Sequence, residues 1–230
     1  MNENLPIMIG EEDTLQDVFS KYGCISLDKQ ESLKELIGEM EGSLDIENAK
    51  LTFSDDLVFD VQLIGYVACE DKKWSWAWDN EDIGFPEDII KESLMARDFG
   101  LKYNISQFTK PTFDGEILEG HLMTMTVVGL FGDDAYYVCQ EDDFAFFVTI
   151  KSDKIPQDNS FDRLRFTFST FIDNFDIKGR IAFKSYTTLK NVEFKDHEDF
   201  SVAKIDDDRL IVGFTDRGNV NLIKALKVDD

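Results

Sequence analysis

Trp74-Ser75-Trp76-Ala77-Trp78 contains every tryptophan of the chain, and its strict alternation constrains the fold more than any other stretch. Side chains two residues apart share a face in a β-strand and diverge in a helix. The spacing therefore predicts a strand with all three indoles on one face. That much aromatic surface at one place builds either a dense core or one wall of a pocket, where the rings stack a planar ligand or hold a cation. Neither outcome specifies a reaction.

The stretches on either side supply this strand with partners. Val58 to Cys69 alternates, with Phe59, Val61, Leu63, Val67 and Cys69 apolar and Asp60 and Gln62 facing the other way. The charged run Glu70-Asp71-Lys72-Lys73 suits a hairpin into the tryptophan strand. Lys50 to Phe53 reads as a shorter strand, and Ala135 to Gln140 turns at Glu141-Asp142-Asp143 into Phe144 to Ile150. Apolar periodicity predicts a helix over 14–22 ended by Gly23, and a second after Asp28 as N-cap, running to Gly42. A third helix follows Pro86, with Ile90, Leu94 and Arg97 on one side and Gly100 as its stop. A fourth spans 117–130, with Leu118, His121, Leu122, Met125 and Val128 on its apolar side.

A polar run over 152–160 divides the chain. Beyond it, 161–174 and 181–190 read as helices, and 192–195, 200–205 and 209–215 as strands, the last two joined by Asp206-Asp207-Asp208. Phe200, Val202, Leu210, Val212 and Phe214 are expected to form one apolar face covered by those helices. Hairpin strands with helices gathered outside them predict an α+β fold rather than alternating βαβ. The expected organisation is an acidic α+β domain over 1–151, holding the tryptophan strand, and a small helix-helix-three-strand unit over 160–230.

Charge marks the same boundary. Residues 1–150 carry 32 Asp and Glu against 10 Lys and Arg, and residues 151–230 carry 15 against 14, so the net −23 divides into −22 and −1. An amino-terminal part so acidic repels nucleic acid and anionic membrane, because binding phosphate needs clustered Lys and Arg. Such a surface either attracts a basic protein partner, mimics nucleic acid, or simply solvates the protein. No segment reaches the roughly 18 apolar residues that a membrane helix requires. Residues 1–10 hold no Lys or Arg, which a secretory signal would need. Cys24, Cys69 and Cys139 are odd in number and widely spaced, as thiols of a cytoplasmic protein would be.

The stretch 44–150 resembles an uncharacterised family of bacterial and archaeal domains of unknown function. The carrying residues are Leu63-Ile64-Gly65-Tyr66, the tryptophan strand itself, Asn80, Arg97-Asp98-Phe99-Gly100, and Tyr136-Tyr137. The family's pattern W-x-W-A-W often continues as Ala-Asn-Pro, where this chain has Asp79-Asn80-Glu81. The resemblance implies a fold and no catalytic residue.

Three readings of function follow. One is a non-catalytic module that binds a protein partner through its acidic surface. Another is a small-ligand-binding domain with Trp74, Trp76 and Trp78 as a wall and Asn80, Arg97 and His121 beside it. The last is an enzyme, with His121 as proton carrier and Arg97 as anion clamp. The common nucleophile-elbow, P-loop and dinucleotide motifs are absent from the sequence. His121 and His197 stand far apart, and Asp206-Asp207-Asp208 lacks the spacing of a calcium loop, so neither a metal nor a cofactor is expected.

Overall fold

The computed structural model describes residues 5–79 and 83–228, and their architecture is α+β. Helix α1 (Leu15–Ile37) opens on a capping box between Thr14 and Asp17. It runs without a break where two helices were expected. Gly23 is no terminator: it lies in the middle of α1, where a Cβ would sit 2.9 Å from the Phe171 ring. Asp28 is no cap either, since its carboxylate accepts from Tyr186 Oη at 2.7 Å. Packing on several sides carries the helix through a residue that would break an isolated one.

Strands β1 (Ser43–Asp45), β2 (Lys50–Ser54), β3 (Leu57–Ala68) and β4 (Lys73–Trp76) follow as an antiparallel series. Next come α2 (Lys91–Tyr103), the single turn α3 (Ser106–Thr109) and β5 (Thr112–Asp114) on the free side of β4. Helix α2 starts later than Pro86 and passes Gly100, ending at Asn104 in the left-handed conformation. Gly100 makes room for Phe108, whose Cβ would meet an added methyl at 2.5 Å. Helix α4 (Ile117–Phe131) leads into the hairpin β6 (Ala135–Glu141) and β7 (Phe144–Ile150).

The twelve-residue β3 is the hub. It pairs with β2 at its start, with β4 at its end, and with β7 along the other side, closing a seven-stranded sheet curled into a half-barrel. A bulge between Leu63 and Gly65 re-aims β3, and the Ile64 carbonyl freed there accepts Ala77 N–H at 3.0 Å and Ser93 Oγ at 2.8 Å. Gly65 is required at this bend: a Cβ would lie 2.5 Å from the Ser75 carbonyl and nearer still to the Trp74 indole.

The rest of the chain forms α5 (Phe161–Asn174), α6 (Gly179–Leu189) and the strands β8 (Glu193–Asp196), β9 (Phe200–Ile205), β10 (Asp208–Phe214) and β11 (Val220–Leu226). The second sheet has four strands rather than the three expected, in the order β11-β10-β9-β8. The phase of β9 also differs from the expectation. Ser201 and Ala203 are buried opposite Val212 and Leu210, while Phe200 is 38 % exposed on the outer face. Small residues line the inner side there because the helices lie close; Phe168, Phe171, Phe183 and Tyr186 fill that space. Phe19 and Cys24 of α1 and Met125 and Val128 of α4 belong to the same core, so α1 is packed between the two sheets' helices.

Candidate functional site

The strand β4 places Trp74 and Trp76 on one face, as the alternation predicts. Both are wholly buried, with ring centroids 5.4 Å apart, edge to face. Phe147 and Phe108 close around them at 5.4 and 5.2 Å, and the Trp76 indole N–H donates to the Gln107 carbonyl at 2.8 Å. These two indoles build core. Trp78 lies beyond the end of the strand, half-buried under the Arg97 guanidinium, which is 5.6 Å from the ring centroid. Arg97 also lies 3.7 Å from the Asp98 carboxylate. Asn80 lies outside the described residues.

His121 is accounted for by its surroundings. Its Nδ1 is 2.8 Å from Tyr136 Oη and its ring meets the edge of Phe147 at 5.5 Å. Burial lowers its pKa below the ordinary histidine value, so at neutral pH it is an uncharged partner for the tyrosine. The contacts of His121 and those of Arg97 have no residue in common. Arg97 meets Trp78 directly, whereas His121 reaches Trp74 only through Phe147, which packs against both rings. On the same helix Leu118, expected on the apolar side, is 60 % exposed.

What the sheet does bring together is a set of acidic turns. Ala68 at the end of β3 stands opposite Phe144 at the start of β7, and the Cys69 N–H donates to the Asp143 carbonyl at 2.9 Å. The β3–β4 tip (Glu70, Asp71) and the β6–β7 tip (Glu141, Asp142, Asp143) therefore project side by side, all exposed. Lys72, in the same tip, is engaged with Glu116 at 2.7 Å.

Beside these carboxylates the sheet carries an aromatic cluster that runs from the buried core out to Phe144. Phe144 is 40 % exposed, and its ring is 5.9 Å from Tyr66 and 6.1 Å from Phe146. Tyr66 reaches on to Phe146 at 5.9 Å and Phe85 at 6.2 Å. Strand pairing explains the cluster: Tyr66 stands opposite Phe146 across the β3–β7 ladder, so both lie on one face of the sheet, the face that carries the buried Val148 and Ile150 further along β7. The sequence displays each tip as a charged run; their meeting depends on pairing between residues some eighty positions apart, which no local pattern reveals.

Fold and surface together describe an α+β protein with a half-barrel sheet, two buried indoles, and an aromatic patch under acidic hairpin tips. Residues 16–153, more than half of the chain, match the model of a family of unknown function, DUF6882, and the chain belongs to that family. No curated protein and no solved structure matches it.

Proposed function

We propose that this protein is a non-catalytic binding module, docking a basic protein partner on the exposed Phe144 at the acidic tips of its half-barrel sheet. The observation that carries the reading is the exposed Phe144 within the Tyr66–Phe85–Phe146 cluster, bordered by Glu70, Asp71, Glu141, Asp142 and Asp143. Interfaces favour aromatic anchors surrounded by a polar rim. Carboxylates in that rim steer a cationic partner and reject an anionic one. The matching surface is one whose Lys and Arg surround an apolar side chain able to rest on Phe144. The tryptophan strand, in this reading, is the core that keeps the face rigid, and W-x-W-A-W is its sequence signature.

A cytoplasmic setting completes the reading. Cys24, Cys69 and Cys139 are free, which suits a reducing compartment. Among the described residues no helix is long and apolar enough to cross a membrane.

The test compares the wild type with two variants, Glu141→Lys/Asp142→Lys/Asp143→Lys and Phe144→Ser, as baits for the same cell extract. Baits are washed at low and then at high ionic strength, where the screening length falls from about 10 Å at 0.1 M to about 3 Å at 1 M. The expected result is a basic protein held by the wild type, released by salt, and absent from both variants. A partner retained equally by all three baits, or none on the wild type at low salt, would overturn the proposal.

A further inference from the structure

Away from the acidic tips, the helices and the 155–159 linker line an open cavity of about 690 Å³, within the ~300–1,000 Å³ typical of small-molecule sites. Helix α1 presents Ile25, Asp28, Lys29 and Ser32 to it, at the i, i+3, i+4, i+7 spacing of one helix face. Helix α2 presents Met95, Phe99, Lys102 and Tyr103 from the opposite wall. The end of α4 (Leu130, Phe131), the linker around Ile155 and Asp158, and the end of α6 (Leu189, Lys190) complete the lining. One side is apolar and the other carries charge.

The charges on the polar side are not equivalent. Lys190 is neutralised in place: its Nζ donates to Asp28 Oδ2 at 2.5 Å and to the Asp158 carbonyl at 2.7 Å. Asp28 is shared in turn with Tyr186 Oη, and Arg163 lies 3.9 Å away. Lys102 is exposed at the rim, over the Tyr103 ring. Lys29 differs from both. It is half-buried at the cavity wall, and its Nζ donates to the Asp133 main-chain carbonyl. Among the described residues no carboxylate lies within ion-pair distance of it.

The carboxyls of Asp134, Asp133 and Asp28 raise the Lys29 pKa from a distance, but by less than burial lowers it. The Asp133 carboxyl is buried beside that of Glu92, and burial raises the pKa of both above the ordinary carboxyl value. The Asp134 carboxylate is turned to the Ser152 N–H at 2.9 Å. An ammonium group has three donors and needs a counter-charge when water is excluded. Burial lowers the pKa of Lys29, consistent with that deficit.

We infer that this cavity binds an amphipathic anion, with its anionic head on Lys29 and its apolar body against Ile25, Met95, Phe99, Leu130 and Leu189. A single lysine is a point charge rather than a bidentate fork, so it fits a singly charged head such as a carboxylate. The inference is independent of the docking face, because it uses other residues on other elements.

The experiment is calorimetric titration of the full chain with four probes that share one tail: octanoate, octyl phosphate, octanol and octyltrimethylammonium. Octanoate is expected to bind, octanol more weakly by about tenfold or more, and the cation not at all. Octyl phosphate distinguishes the head groups, since binding tighter than octanoate would identify a phosphate ester as the natural class. Lys29→Met is expected to lose about tenfold or more for octanoate and to leave octanol unchanged. Because Lys29 also holds the Asp133 carbonyl, Met95→Trp serves as a second variant. It fills the cavity with the ammonium intact and should weaken octanoate and octanol alike. Equal binding of all four heads, no binding of any, or full octanoate affinity in a folded Lys29→Met variant would each overturn the inference.

Discussion

A buried carboxyl that keeps its proton at neutral pH leaves a measurable trace, and Asp133 is such a residue. It is 1 % exposed, and its side-chain oxygens find no donor among the described residues. Two carboxylates offer acceptors only, so its contact with Glu92 requires a proton. Glu92 in turn accepts from Thr149 Oγ1 at 2.5 Å. Burial, with Glu92 adding repulsion, raises the Asp133 pKa from its ordinary value to about 9. The folded state therefore binds more protons than the unfolded one between about pH 4 and pH 9. Its stability from this group is full below that window and falls as pH rises through it. Asp133→Asn supplies a permanent donor to Glu92 and removes the proton. Chemical denaturation at pH 6 and pH 9 should show the wild type losing on the order of 2 kcal/mol more than the variant across that range. Equal losses would show that Asp133 ionises normally.

Individual elements differ in how legible they were. Hairpins were readable because period-2 alternation and charged turns coincide, as at 58–76 and 135–150. Helix ends were not, since Gly23 and Gly100 are glycines of close contact rather than of termination. The candidate site residues shared this fate: Trp74 and Trp76 are legible as a strand face, but their burial depends on Phe108 and Phe147 arriving from distant segments. Phe200 and Val202 misled on the phase of β9, because apolar side chains also occupy an outer sheet face. The segment 160–230, expected as a small helix-helix-three-strand unit, leans on the rest of the molecule through its Phe-rich helix α5. Phe168 and Phe171 of that helix share a core with Phe19, Cys24 and Val128. A fragment of residues 156–230 would expose that surface and is expected to show uniformly fast amide exchange. Cooperative folding of the fragment would establish an independent domain instead.

At the scale of the whole molecule the net charge of −23 dominates. Like charges confined to one compact body repel, and dissolved ions screen them. The melting temperature is therefore expected to rise by several degrees between about 0.01 M and about 0.3 M sodium chloride, as the screening length drops below about 10 Å. A flat response would mean that ion pairs such as Lys50–Asp60 and Lys91–Asp88 already balance the repulsion. The central position of α1 has a further consequence. The matched family segment, 16–153, includes this helix but stops short of α5 and α6, which cover its Phe19 and Cys24 side. A polypeptide made of the shared segment alone would carry an open greasy trough along its first helix. The two covering helices therefore act as a built-in companion of α1, lidding a side that the matched segment by itself would leave bare.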